Sequence, residues 1–269
     1  FPKPHREKNK ETDYHEANKA IFRGAATALI TPLTREGVDY AAFGRLIDWQ
    51  IAQGVSALVI AGTTGEGATL SDREHKDVIR YAVERAAGRV PIIAGTGSNN
   101  TAHAIELSRY ACEVGADALL VVTPYYNKAT QSGLVQSYFA IADAVTKPMI
   151  LYNVPSRTDV NIAPETYLKL AEHPNIAAIK EANGSVQDRL HEQICSRFFS
   201  GDTQGSAKLQ LELLPLIHAL FSEVNPIPVK AAMHAMGFCE DFVRLPLTVM
   251  EAPHRAVLLS LLRQYGLIG

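Results

Sequence analysis

A lysine closes the apolar run Asn175-Ile-Ala-Ala-Ile-Lys180, and Glu181 follows it. At the mouth of a closed sheet such an amine would be desolvated. Desolvation disfavours ammonium, lowers the pKa and leaves a neutral nucleophile able to attack a carbonyl. The plainer alternative is a strand-end lysine that snorkels to solvent or pairs with a carboxylate. Gly62-Thr63-Thr64-Gly65-Glu66-Gly67 follows another apolar run and precedes a helical pattern. Its glycines permit a tight turn and close ligand approach, and its hydroxyls and amides could cradle a carboxylate. Read conservatively, it is a β-α turn. It lacks the ending of a nucleotide P-loop and the glycine spacing of a dinucleotide fingerprint. Tyr125, Tyr126 and Tyr152 lie at the ends of apolar runs, where phenols can relay protons or simply cap a core. Arg157, in Pro155-Ser-Arg-Thr158, could grip a carboxylate bidentately or form a surface ion pair. Together these residues supply an amine nucleophile, hydroxyl relays and carboxylate binders.

The elements that must position them alternate. Near-continuous apolar runs predict strands over Ala25–Thr31, Ala57–Ala61, Pro91–Gly95, Ala118–Thr123, Met149–Asn153, Ile176–Lys180 and Phe198–Ser200. Such runs suit parallel strands covered on both faces. Amphipathic stretches between them predict helices over Tyr40–Gln53, Ser71–Ala87, Asn100–Val114, Ser132–Ala144 and Pro164–Glu172. Ser71 and Glu74 have capping-box spacing, and Pro164 suits a first helical turn. After Lys208 the pattern is wholly helical, with a bend expected at Pro215 and a break at Pro226 and Pro228. Repeated β-α units give a parallel α/β sheet. The unusual residues fall just after nearly every strand, which favours convergence at the mouth of a (β/α)8 TIM barrel over one crevice of an open sheet.

Composition removes other classes. The chain has 269 residues, 47% of them hydrophobic, and a formal net charge of −2. It is too apolar for a disordered protein and has no basic excess for nucleic acid. No apolar stretch approaches the roughly 18 positions of a membrane span. Cys112, Cys195 and Cys239 form no C-x-x-C pair, and the nine histidines form no ligand cluster, so no metal site is expected. The thiols suit a reducing, cytoplasmic setting. Phe1–Ala20 lacks the apolar core of a secretory signal and reads as a flexible tail or expression remnant. The expected organisation is that tail over 1–20, a barrel over 21–207 and C-terminal helices over 208–269.

Gly62-Thr-Thr-Gly-Glu66, Tyr125-Tyr-Asn127, Tyr152-Asn-Val-Pro-Ser-Arg157, Ile179-Lys-Glu-Ala182 and Asn225-Pro-Ile-Pro-Val-Lys230, in that order, resemble the dihydrodipicolinate synthase family. The resemblance runs from about Phe22 to the carboxyl end. It implies a barrel with extra C-terminal helices and a pyruvate-dependent class I aldolase mechanism, without cofactor or metal. On it, Lys180 is the Schiff-base lysine and Tyr152 the principal proton relay, linked to Thr63 and Tyr126. Thr64 holds the pyruvate carboxylate, and Arg157 the carboxylate of L-aspartate 4-semialdehyde. The family assembles as dimers or tetramers in which the residue matching Tyr126 crosses into a neighbouring subunit's site. N-acetylneuraminate lyase and related keto-acid aldolases share the lysine, the tyrosine and the Gly-rich turn. They typically carry Ser-Thr and lack the arginine, so Thr63-Thr64 and Arg157 favour the synthase.

Two features depart from the family pattern. Asn99 matches its lysine-inhibition site, but Asp72 and His103 replace a basic and an acidic residue, so inhibition by lysine is not expected. The family's eighth strand also has no counterpart, because Ser200–Ala207 runs straight into the helical pattern Lys208–Phe221. Its loss would open the barrel and expose two sheet edges. Either the sequence joins pieces that are not contiguous, or the chain carries a deletion. The first would strand fewer backbone hydrogen-bond groups. A catalytically impaired barrel kept for assembly is the competing reading.

Overall fold

The computed structural model describes residues 20–182 and 197–269. The expected tail, apart from Ala20, and Cys195 lie outside the described residues. Strands β1 (Ala26–Ala28), β4 (Ala57–Ile60), β5 (Ile92–Gly95), β6 (Ala118–Val122), β7 (Met149–Asn153) and β8 (Ile176–Glu181) form one parallel sheet in that order. Between β1 and β4, β2 (Leu33–Thr34) and β3 (Gly37–Val38) make a small antiparallel hairpin. Helices α1 (Tyr40–Ala52), α2 (Asp72–Ala86), α3 (Thr101–Glu113) and α4 (Gln131–Asp143) follow β3, β4, β5 and β6. The short α5 (Pro155–Thr158) and α6 (Pro164–Leu170) follow β7.

The apolar runs are continuous because each strand faces two cores. Val59, Ile93, Leu120, Ile150 and Tyr152 point to an inner cluster. Leu58, Ile92, Leu119, Met149 and Leu151 point outward beneath the helices. The helices start where the sequence offers caps: the Ser71 and Glu74 capping box forms, and Asn100 and Thr130 cap α3 and α4. α7 (Thr203–Ala219), α8 (Ile227–Ala235) and α9 (Ala252–Gln264) share a third cluster, while Met233 of α8 packs into the layer beneath the barrel helices.

Two expectations change. Phe198–Ser200 is not a strand. Gly201 N–H donates to the Phe198 carbonyl and Asp202 N–H to that of Arg197, closing a helical turn instead of a ladder. The following helix begins at Thr203 and not Lys208, because the Asp202 side chain caps it by accepting from Gly205 N–H at 2.8 Å. It runs unbroken through Ala207, Lys208 and Pro215. The expected break at Pro226 and Pro228 is present: α7 ends at Ala219, Pro226 is the N-cap of α8, and Pro228 lies in its first turn, where no N–H is needed.

Six parallel strands therefore stand where seven were expected, with β1 and β8 as the sheet edges among the described residues. β4 to β7 are almost wholly buried, whereas Ala177, Ala178 and Ile179 of β8 are exposed, Ile179 to 48%. Among the described residues the result is an α/β half-barrel with the Lys180 strand at its edge.

Candidate active site

Parallel pairing brings the amine and the phenol together. Tyr152 and Lys180 are partners in the β7–β8 register, so their side chains leave the same face of the sheet. The Lys180 Nζ lies 4.3 Å from the centroid of the Tyr152 ring. Lys180 is half-buried. The next residue locks the strand end. Glu181 accepts from Asn153 Nδ2 at 2.9 and 3.1 Å and from the Tyr167 hydroxyl at 2.7 Å, and Ala182 N–H donates to the Asn153 carbonyl.

Tyr152 is buried, and burial raises its phenol pKa, against smaller lowering influences from the Arg157 charge and a hydrogen bond with Thr63. At neutral pH it is therefore a protonated hydroxyl.

Thr63 and Thr64 sit on the turn after β4, which lies tight against the strand ends. A Cβ on Gly65 would come within 3.1 Å of the Ala61 backbone and the Leu29 carbonyl, and one on Gly67 would collide with the Ala61 carbonyl. Only glycine allows that approach. Thr31 Oγ1 donates to the Gly65 carbonyl at 2.7 Å, fixing the turn from β1's side.

Arg157 stands on α5. Its neighbour Thr158 is buried and accepts from Thr123 Oγ1 at 2.9 Å, which anchors that helical turn to the end of β6. Asn225, just before α8, then ties Thr64 and Arg157 together. Its Nδ2 donates to Thr64 Oγ1 at 2.9 Å, and its carbonyl accepts from Arg157 Nη2 at 3.4 Å.

A cavity of about 480 Å³ opens among these groups, lined by Thr63, Tyr152, Arg157, Asn225, Glu66 and His75 among others. Lys180 and Thr64 adjoin it, each touching a lining residue. Such a volume suits a small polar metabolite. Tyr126 is not brought in: it is 93% exposed, at a left-handed φ of +67°. His75 is buried with its Nε2 2.7 Å from the Gly95 carbonyl, and burial lowers its pKa, so the neutral ring buttresses the end of β5. Asp72 and His103, the departures from the inhibition site, stand 3.6 Å apart as a potential ion pair. Among the described residues no His, Cys, Asp and Glu cluster could hold a metal ion, and no helix is long and apolar enough to cross a membrane.

The residues that hold the predicted site were not individually legible. Asn225 and Lys230 lay within a matching motif, and Asn153 and Glu181 each adjoined a candidate. Their signal was adjacency, and only folding shows what each one grips.

The sequence profile of the Dihydrodipicolinate synthetase family matches residues 21–193 and 187–265. The 4-hydroxy-tetrahydrodipicolinate synthase of Acetivibrio thermocellus is 46% identical over 291 residues, covering 93% of this chain and 99% of that protein. A crystal structure of the dihydrodipicolinate synthase from Acinetobacter baumannii, complexed with pyruvate, superposes with a TM-score of 0.88 at 39% identity, covering 91% and 99% of the two chains. A monomeric variant of such a synthase superposes at 0.89 with 35% identity, covering 92% and 98%. The Acetivibrio alignment spans 291 positions but takes in only 93% of 269 residues, so roughly 40 positions of that protein have no counterpart here. That exceeds one β-α unit of about 30 residues. The two matched segments overlap at 187–193, upstream of Ser200.

Proposed function

This chain belongs to the dihydrodipicolinate synthetase family, and from that premise we propose that it condenses pyruvate with L-aspartate 4-semialdehyde through an imine on Lys180. The product is 4-hydroxy-tetrahydrodipicolinate, a step of lysine and diaminopimelate biosynthesis, and the proposed location is the cytoplasm. The observation that carries the reading is the Lys180–Tyr152 pairing beside a cavity whose other walls hold Thr63 and Arg157.

The neutral Lys180 amine attacks the pyruvate ketone, and loss of water gives a protonated imine. That imine is an electron sink, so a methyl proton leaves and an enamine forms. The enamine carbon attacks the aldehyde of the second substrate, whose oxygen takes a proton. The substrate's own amine then displaces Lys180 as the ring closes. Tyr152, hydrogen-bonded to Thr63, serves the proton transfers. Thr64, oriented by Asn225, takes the pyruvate carboxylate, and Arg157 takes that of the semialdehyde. No cofactor is needed, since the imine itself supplies the electron sink.

Tyr126, exposed on its own chain, is proposed to complete the relay in a neighbouring subunit of a homodimer or homotetramer. Mixing Tyr126→Phe and Lys180→Ala chains tests this, because activity returns in mixed assemblies only if the tyrosine acts across the interface.

The decisive experiment is borohydride reduction in the presence of pyruvate, followed by intact mass and peptide mapping. A pyruvate adduct on Lys180 with turnover of aspartate semialdehyde is expected. No adduct would end the aldolase reading. An adduct without that turnover would point to another keto-acid aldolase, or to a barrel left catalytically impaired by its open edge.

A further inference from the structure

Lys230 and Glu66 form an ion pair in which both side chains are 0% exposed. They are 164 residues apart in sequence: Glu66 lies in the Gly62–Gly67 turn and Lys230 in α8. Both carboxylate oxygens are engaged. Lys230 Nζ donates to Oε1, and the backbone N–H of Arg244 donates to Oε2 at 3.2 Å. The Arg244 side chain continues the brace, donating to the Thr69 carbonyl at 3.0 Å and to Glu74 at 2.7 and 2.5 Å.

A fully buried ion pair is a poor way to gain stability. Desolvating two charges costs about what their attraction returns, and well-packed apolar residues of similar volume often do as well. What the pair does fix is place. Glu66 holds a left-handed φ of +55°, a conformation that a residue with a Cβ keeps only when its surroundings impose it. Its N–H donates to the Thr63 carbonyl at 3.1 Å, and its carbonyl accepts from Thr69 N–H at 2.8 Å. Any shift of the Glu66 carboxylate is therefore passed to Thr63 through one hydrogen-bonded turn.

We propose that Lys230 and Glu66 are positioning residues: the amine on α8 grips the Gly-rich turn by its glutamate and sets where the Thr63 and Thr64 hydroxyls meet the substrate. This rests on the reading of the cavity as a pyruvate-imine site. On this view the C-terminal helices are part of the active site at a distance, since α8 controls hydroxyls on the turn after β4.

The test is pyruvate titration of borohydride trapping on Lys180, in the unmodified chain and in the double variant Glu66→Gln/Lys230→Met. The single Lys230→Met variant would leave a buried carboxylate unpaired and could fail to fold, whereas the double variant removes both charges. The double variant is expected to keep a cooperative melt and to trap fully at saturating pyruvate. Its half-saturating pyruvate concentration should rise about 10- to 100-fold, as for a misplacement on the order of 1 Å. Unchanged half-saturation would overturn the proposal. So would loss of the cooperative melt, which would make the pair a requirement of folding instead. If the unmodified chain itself traps no pyruvate, the failure lies with the imine reading and not with the positioning pair, whose effect on Thr63 would then be read from the shift of the Thr63 methyl NMR resonance, assigned with a Thr63→Ser variant. No such shift in the double variant would overturn it equally.

Discussion

The Lys180 amine lies against the face of the Tyr152 ring, 4.3 Å from its centroid, and the two residues are register partners on neighbouring parallel strands. One strand pairing thus sets the proposed nucleophile beside the proposed proton relay without a loop having to find either position. The contact is to the ring, while Tyr152 shares the cavity wall with Thr63. Tyr152→Phe keeps the ring and removes only the hydroxyl. Borohydride trapping of pyruvate on Lys180 should persist, while turnover with aspartate semialdehyde falls about 10²- to 10⁴-fold. Turnover equal to the unmodified chain would remove Tyr152 from the relay.

Arg157 and Asn225 should separate the two substrates. Arg157→Met removes a charge-assisted contact of about 1.5–3 kcal/mol, so KM for aspartate semialdehyde should rise about 10- to 100-fold with pyruvate trapping intact. Asn225→Ala deletes the hydrogen bond to Thr64 Oγ1. At about 1 kcal/mol it should weaken pyruvate half-saturation roughly fivefold. Steady-state kinetics with each substrate varied in turn reads both.

Acid sensitivity should trace in part to Glu74. The Arg244 guanidinium holds its carboxyl down at about 2, against an ordinary value of 4.5, with burial opposing and the Ser71 bonds assisting. The depressed value means the stabilisation is full above about pH 4.5 and is lost as pH falls from there towards 2. In Arg244→Met this part of the decline in melting temperature should flatten. Parallel acid-dependent melts of the two proteins measure the difference, and identical slopes would show that the pair does not set it.

Gly95→Ala should be costly although the change is one methyl group. Its Cβ would lie 2.7 Å from the Ala61 carbonyl oxygen and 2.9 Å from the Gly62 nitrogen, against backbone that cannot rotate away. Overpacking of this kind costs about 1–3 kcal/mol. Urea unfolding should show it as a lower midpoint, and the displaced turn should also weaken pyruvate trapping. A variant as stable as the parent would mean the two strand ends can part freely.

Much of the fold was legible because strands buried on both faces leave unbroken apolar runs, and β4 to β7 came within a residue or two of expectation. Phe198–Ser200 misled because two phenylalanines beside a serine look like the end of such a run. A strand exists only where a neighbour accepts its ladder, and here the chain closes on itself through the Arg197 and Phe198 carbonyls. α7 begins five residues before the expected Lys208 because Asp202, which lies in no expected element, caps it. The β2–β3 hairpin is too short to leave a period.

The sequence by itself determined the chemistry: a lysine ending an apolar strand, a phenol ending the strand before it, and two threonines in a glycine turn. These depend on residue type and on the alternation of strand and helix, which are local properties of the chain. Tertiary structure alone decided the rest. Among the described residues it put Lys180 on an edge strand, with the side chain half-buried and Ile179 exposed. It also brought Asn225 to Thr64 and Lys230 to Glu66, across 161 and 164 residues. Contacts over such separations follow from how helices pack against strand ends, and no short-range pattern records them.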